Sequence, residues 1–230
     1  MKNCYKLAMT AAIVGFGLGT LNVAQAATVS LSSSNQGWWS KTAGNSNQND
    51  NYITGNLDAT NYASFFTFDL NDLAGVSTAT LQVKRFQGAG NPTKTLGFFD
   101  VSTAADVLAE KVNNPNAVIY NDLVSGKNYG TFNVSTFGNS DEILNFVLNS
   151  DAIADINARS GRFFSVGGAL LGDIGIGEQY LFGFSFDSSA TLVLNTDLAS
   201  VPEPDILNGA VLVGITVLLL KRKGKPFKNV

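Results

Sequence analysis

Short runs that alternate apolar with polar residues, or that join aromatic to β-branched ones, recur from residue 64 to residue 194, and Gly, Asn, Asp and Ser fill the gaps between them. A repeat of two puts successive side chains on opposite faces of an extended chain, whereas a helix needs about 3.6 residues per turn. The runs are Ser64 to Phe68, Thr78 to Phe86, Thr95 to Val101, Tyr129 to Val134, Glu142 to Leu148, Phe163 to Gly168, Tyr180 to Phe186 and Ala190 to Leu194. Strands this short, divided by turn-formers, predict an all-β body built as a β-sandwich or jelly roll, with the phenylalanines filling its interior. Two short helices interrupt the pattern. One is expected at Ser150 to Ala158, where Ser150 can cap a turn and Ile153 and Ile156 share a face; the other runs from Thr103 to Glu110.

The strand-forming body does not reach either end of the 230-residue chain. Lys2 and Lys6 precede an apolar run, Leu7 to Leu21, which closes on small residues at Ala24 and Ala26. That order is the charged, apolar and cleavage regions of a secretory signal peptide, residues 1–26, with cleavage after Ala26. Residues 27–200 then form the ectodomain, long enough for one domain with its own core.

The C-terminal segment, residues 201–225, has three parts. Val201, Pro202, Glu203 and Pro204 come first, then the apolar stretch Ile206 to Leu220, then the basic tail 221–225 that begins Lys221, Arg222, Lys223. Two prolines two residues apart hold an extended segment that a membrane enzyme can read. About fifteen residues rise about 22 Å as a helix, short of a bilayer core of about 30 Å, and snorkelling lysines with local thinning cover the mismatch of this single transmembrane helix. The basic tail holds the C-terminus on the cytoplasmic side.

This order resembles the PEP-CTERM sorting signal of exopolysaccharide-producing bacteria. The resemblance implies that Val201, Pro202, Glu203 and Pro204 are read by an exosortase, a membrane protease of transpeptidase type. It also implies an inner-membrane precursor whose helix is removed as the protein moves to the cell surface or beyond. Within the body, the segments Asn51 to Asn56, Phe65 to Leu70 and Ser77 to Val83 resemble the front half of DNRLRE-type β-sandwich modules. Those are similar to non-catalytic carbohydrate-binding and surface-associated domains. In physical terms Phe66 and Phe68 alternate with polar neighbours on one strand, and Asp69, Leu70 and Asn71 close it into a turn.

Charge and the missing residue types exclude whole classes of function. Of the 15 basic residues only eight lie in residues 27–200, against 16 of the 18 carboxylates, so the body is acidic and unsuited to a nucleic-acid backbone. Histidine is absent and the single cysteine is Cys4. The body therefore has no imidazole-activated nucleophile, no thiolate, no disulfide and no ordinary zinc site. No cofactor or metal is expected. The loop Asn45 to Asn51 carries oxygen donors of the kind calcium accepts, but with one carboxylate and no ligand spacing it reads as a solvated loop.

Few ligand-binding residues stand out. Trp38 and Trp39 are the only tryptophans, and a displayed ring could stack on a sugar face. Neighbours on a strand point opposite ways, so at most one is displayed and the other belongs to the core. No catalytic residue is assigned: a glycan hydrolase would need two carboxyl groups about 5 to 10 Å apart, and nothing brings Glu110, Glu142 and Glu178 together in sequence. Three functions stay open. They are a structural or adhesive role in the envelope, biofilm or exopolysaccharide matrix, a carbohydrate-binding module, and a carboxylate-dependent hydrolase, with no enzymatic activity as the expectation. A flat polar surface favours the first, an aromatic-lined concavity the second, and a paired-carboxylate cleft the third.

Overall fold

The computed structural model describes residues 27–44 and 51–197, apart from 72, 74, 111, 160, 173, 174 and 185–188. The signal peptide, the motif Val201 to Pro204, the helix Ile206 to Leu220, the basic tail and most of the Asn45 to Asn51 loop lie outside the described residues. Among the described residues no helix is long and apolar enough to cross a membrane.

Strands dominate. In chain order they are β1 (Ala27–Ser32), β2 (Asn35–Ser40), β3 (Thr54–Leu57), β4 (Thr60–Asp69), β5 (Val76–Lys84) and β6 (Thr93–Asp100). After the helices α1 (Ala105–Ala109) and α2 (Ala117–Leu123) come β7 (Asn128–Ser135) and β8 (Ile143–Val147). Helix α3 (Ser150–Ala158) precedes β9 (Phe163–Leu170), β10 (Gln179–Leu181) and β11 (Thr191–Thr196). All strand pairs are antiparallel and fall into two sheets. The four-stranded sheet has the order β1-β11-β5-β8. The seven-stranded sheet runs β10-β3-β4-β9-β6-β7, with β2 also paired to β4.

One hydrophobic cluster is shared by both sheets. Leu81, Val83, Phe146, Leu192 and Leu194 enter it from the smaller sheet, and Phe66, Phe68, Leu96, Phe98, Phe164 and Val166 from the larger. Full burial of one such side chain stabilises by about 1.5–3 kcal/mol, so this cluster is the main reason the sheets stay together. Helix α3 adds Ala152 and Ile156 to it, with Ile153 packed alongside.

Several expectations change in detail. Helix α3 has the expected bounds, but its cap is Asn149, whose Oδ1 accepts from Asp151 N and Ala152 N, and not Ser150. The strand expected at Tyr180 to Phe186 stops at Leu181, because Phe182, Gly183 and Phe184 take positive φ angles. That reversal buries Phe182 in the shared core and packs Phe184 against Trp38 and Tyr62. The polar neighbours expected beside Phe66 and Phe68 are Phe65 and Thr67, both buried, because the opposite face of β4 is covered too. The turn after β4 forms as expected, with Asp69 Oδ1 accepting from Asn71 N at 3.1 Å.

The first three strands and α2 carry weaker signals. The β3–β4 hairpin turns on Asp58 and Ala59, both at positive φ, a geometry that usually takes Asn-Gly. Helix α2 spans only seven residues and starts from Asn116, whose Oδ1 accepts from Val118 N and Ile119 N.

Candidate functional site

Neither tryptophan is displayed. Trp38 is 5% exposed and Trp39 1%, so the expectation that at most one ring of the pair is displayed ends with none, and neither offers the exposed face that sugar stacking needs. Alternation along β2 does send them to opposite faces, but each face is covered by residues distant in sequence. Trp38 meets Ile53 and Tyr180, stacks edge-on with Tyr62 at 4.8 Å, and donates from Nε1 to Asn51 Oδ1 at 3.1 Å. Trp39 packs with Ala63, Phe65, Leu108, Ile119 and Leu123 beneath α1 and α2, where its Nε1 has no hydrogen-bond partner among the described residues.

The glutamates stand apart. Glu110 is the C-cap of α1, Glu142 precedes β8 and holds Arg85 Nε at 2.7 Å, and Glu178 precedes β10. Glu178 does share a shallow depression with a second carboxylate, Asp58, together with Asn56 and Asn61. Among the described residues no group of three metal-ligating side chains occurs.

A more enclosed concavity adjoins that depression through Asn61. It is a cavity of about 220 Å³ between Gly55, Tyr62 and Asn61 of the β3–β4 hairpin, Tyr120 and Val124 at α2, and Leu170 and Leu171 at the end of β9. Burial raises the Tyr62 phenol above its ordinary value, outweighing the hydrogen bond with Thr60 that lowers it, and Asp58 adds the smallest push upward. Burial alone raises Tyr120. Both hydroxyls therefore stay protonated at neutral pH and can donate as well as accept. Lys41 Nζ lies 5.1 Å from the Tyr120 ring centroid and helps to fix that ring. An aromatic wall with a few polar groups is the chemistry that grips a neutral sugar ring.

The loop that feeds α1 is held by one carboxylate. Asp122 on α2 accepts from the N–H and hydroxyl groups of both Ser102 and Thr103, at 2.5 to 3.3 Å. Burial pushes its pKa up, but these four donors outweigh that and leave it below the usual carboxylate value. A second polar cluster joins α3 to β7. Asp155 accepts from Tyr129 Oη at 2.7 Å and pairs with Lys127 at 2.8 Å. Both clusters are explained by anchoring and neither opens onto a cavity described above.

The outer face of the four-stranded sheet is a different kind of surface. Register places Thr28, Asn195 and Thr78 in one row, Ser30, Val193, Thr80 and Val147 in the next, and Ser32, Thr191, Gln82 and Asn145 in a third. Side chains bridge neighbouring strands: Thr28 to Asn195 at 2.7 Å, Asn195 to Thr78 at 2.8 Å, and Gln82 to Asn145 at 2.8 Å. These three rows contain no charged residue. The result is a hydrogen-bonding surface of uncharged rows, bordered in the next row by Lys84 and Ile143, where Lys84 pairs with Asp141 at 2.8 Å.

Sequence reasoning missed the Tyr62–Tyr120 cavity, whose lining comes from three separated segments. The outer face of the four-stranded sheet was legible in part, since Thr and Ser alternate with apolar residues along β5 and β1. The chain matches no protein-family model, and no curated protein matches it significantly in sequence.

Proposed function

We propose that this chain is an exported protein, sorted by an exosortase-type membrane protease through Val201, Pro202, Glu203 and Pro204, with a structural or adhesive role in the envelope, biofilm or exopolysaccharide matrix. Its body is a β-sandwich ectodomain, in keeping with two antiparallel sheets sharing one core. The observation that carries the reading is the three uncharged, hydrogen-bonded rows of side chains across the outer face of the four-stranded sheet, which suit extended contact with neutral polymers more than chemistry on a small substrate. Fractionation of the native host, with and without its exosortase, tests it. Surface material from the intact host has a mass ending near Pro204, and the exosortase-deficient host retains the longer form at the inner membrane. Surface protein that still carried Ile206 to Leu220 would overturn the sorting step.

The Tyr62–Tyr120 cavity favours a second reading, recognition of neutral glycans by the body. The acidic body repels sulfated or uronic polymers, while neutral sugar faces carry no such cost. Under this reading Tyr120→Ala removes about 1–2 kcal/mol of glycan binding measured by calorimetry, with the fold retained. A panel of neutral glycans that failed to bind the parent leaves only the structural reading, and binding untouched by Tyr120→Ala removes the cavity as its site.

A further inference from the structure

The four-stranded sheet ends on β8, an edge whose outward backbone groups have one described partner, the Asn145 Nδ2 that donates to Ile143 O across a long 3.4 Å. Arg85 N donates to Glu142 O and Leu148 N donates to Ala79 O, both at 2.8 to 2.9 Å. Stepping by two along the register of β5 and β8, Leu144 and Phe146 also turn their backbone groups toward β5. Ile143, Asn145 and Val147 therefore turn theirs outward, and among the described residues β8 pairs with no strand other than β5.

The edge strand of the other sheet shows what a protected edge looks like here. On β7, Tyr129 O is taken by Asn149 N at 2.9 Å and Ser135 O by the Arg85 guanidinium. Both ends of that edge are blunted. On β8 the outward side chains are Ile143, 49% exposed, and Val147, 67% exposed, with neutral Asn145 between them. No charge, proline or bulge interrupts Ile143 to Val147, although these are the devices that normally guard an edge.

The strand is also self-complementary. Turned about Asn145, an antiparallel copy sets Ile143 against Val147 of the other molecule and Asn145 against itself. Residues 143, 145 and 147 then exchange backbone hydrogen bonds as three narrow pairs. Acidic Asp141 and Glu142 stand at one end of the strand and neutral Leu148 and Asn149 at the other, so this orientation sets each acidic end against a neutral one. A parallel copy would oppose the carboxylates. The inward Leu144 and Phe146 of the second copy would also approach the groove of about 360 Å³ between β7 and β8.

We propose that β8 is a self-association edge, on which a second copy of this chain pairs antiparallel about Asn145 and extends the four-stranded sheets into one. The pairing depends on neither export nor glycan binding, so it stands or falls apart from the function above.

Cysteine pairing reports it directly, because Cys4 is the single native cysteine. In the full chain carrying Cys4→Ser, Asn145→Cys sets two sulfur-bearing residues opposite each other, about 5.5 Å apart at Cα. Mild oxidation, read on non-reducing gels and by intact mass, is expected to give a covalent dimer with Asn145→Cys and none with Thr78→Cys in the middle of the same face. Val147→Cys alone stays monomeric but forms a mixed dimer with Ile143→Cys, since those two positions face each other only in this register. Val147→Lys added to Asn145→Cys weakens the dimer roughly fivefold through two mismatched cross-strand pairs. Circular dichroism of each variant confirms that the fold is kept. Equal cross-linking by Thr78→Cys, or no dimer from a folded Asn145→Cys protein, overturns the proposal.

Discussion

The two sheets bury their strands differently. Every residue from Ala63 to Phe68 of β4 and from Phe164 to Ala169 of β9 is buried, because the seven-stranded sheet packs on the shared core with one face and under α1 and α2 with the other. In the four-stranded sheet β11 alternates strictly between half-buried and buried, and β5 nearly so. No described residue covers its second face. Burial is thus concentrated in the larger sheet, while the smaller one leaves a face and an edge uncovered by the described residues.

The largest test of that contrast is a pair of truncations. Phe65→Ala, under the helices, is expected to cost about 3–5 kcal/mol in denaturant unfolding, since it leaves a cavity in a filled layer. Val193→Ala on the outer face of the smaller sheet is expected to cost no more than about 0.5–1 kcal/mol, because the site is half open already. Comparable losses at the two positions would mean that the outer face of the small sheet is covered in solution.

Substitutions at the tryptophans sharpen the comparison within β2. Trp38→Phe removes the hydrogen bond to Asn51 as well as volume, and is expected to cost about 1–3 kcal/mol. Trp39→Phe removes volume together with an N–H that has no partner among the described residues, so its cost is expected to be smaller by about 1 kcal/mol. Thermal unfolding of the two variants, compared side by side, decides the order.

A smaller effect separates the helix-covered face by pH. Asp122 has a folded pKa below its unfolded value of about 3.9, so its contribution is fully present above that value and disappears as pH falls through the folded one. Asp122→Asn is expected to lower stability by about 1 kcal/mol at pH 7, a modest figure because the carboxylate is only partly buried. The gap between variant and parent should close below about pH 4, measured as unfolding midpoints across pH. A constant gap from pH 7 to pH 3 would show that the hydroxyl contacts, and not the charge, hold the loop before α1.

The smallest expected change is none. Thermal unfolding of the chain with and without a strong chelator should coincide, given that the described residues include no metal-ligating group of three. A midpoint lowered by chelator would point to the residues between β2 and β3.

Legibility followed the same divide. β5 and β11 were visible because one side of each faces water, which forces a polar residue at every second position. β4 and β9 were visible as apolar runs, but the second buried face of β4 was not, since the residues that cover it, Ile119 and Leu123, lie more than fifty positions away. β1 was legible in principle from Thr28, Val29, Ser30 and Leu31. β3 was not, because Thr54, Gly55 and Asn56 look like loop and become a strand only between β4 and β10. The cap of α3 fell one residue early, at Asn149, for the local reason that its carboxamide reaches two amides.

By itself the sequence determined that the body is built of strands and that it holds neither histidine nor cysteine, and it supplied the terminal patterns on which export and sorting are proposed. These are properties of local periodicity and composition, set by which side chains a short stretch of backbone presents. Only the tertiary structure decided that both tryptophans are interior, that Tyr62 and Tyr120 line one cavity, and that among the described residues β8 is left unpaired on its outer side while β7 is blunted. Each of those depends on what lies across a contact between segments far apart in the chain, and a strand does not encode its own neighbours.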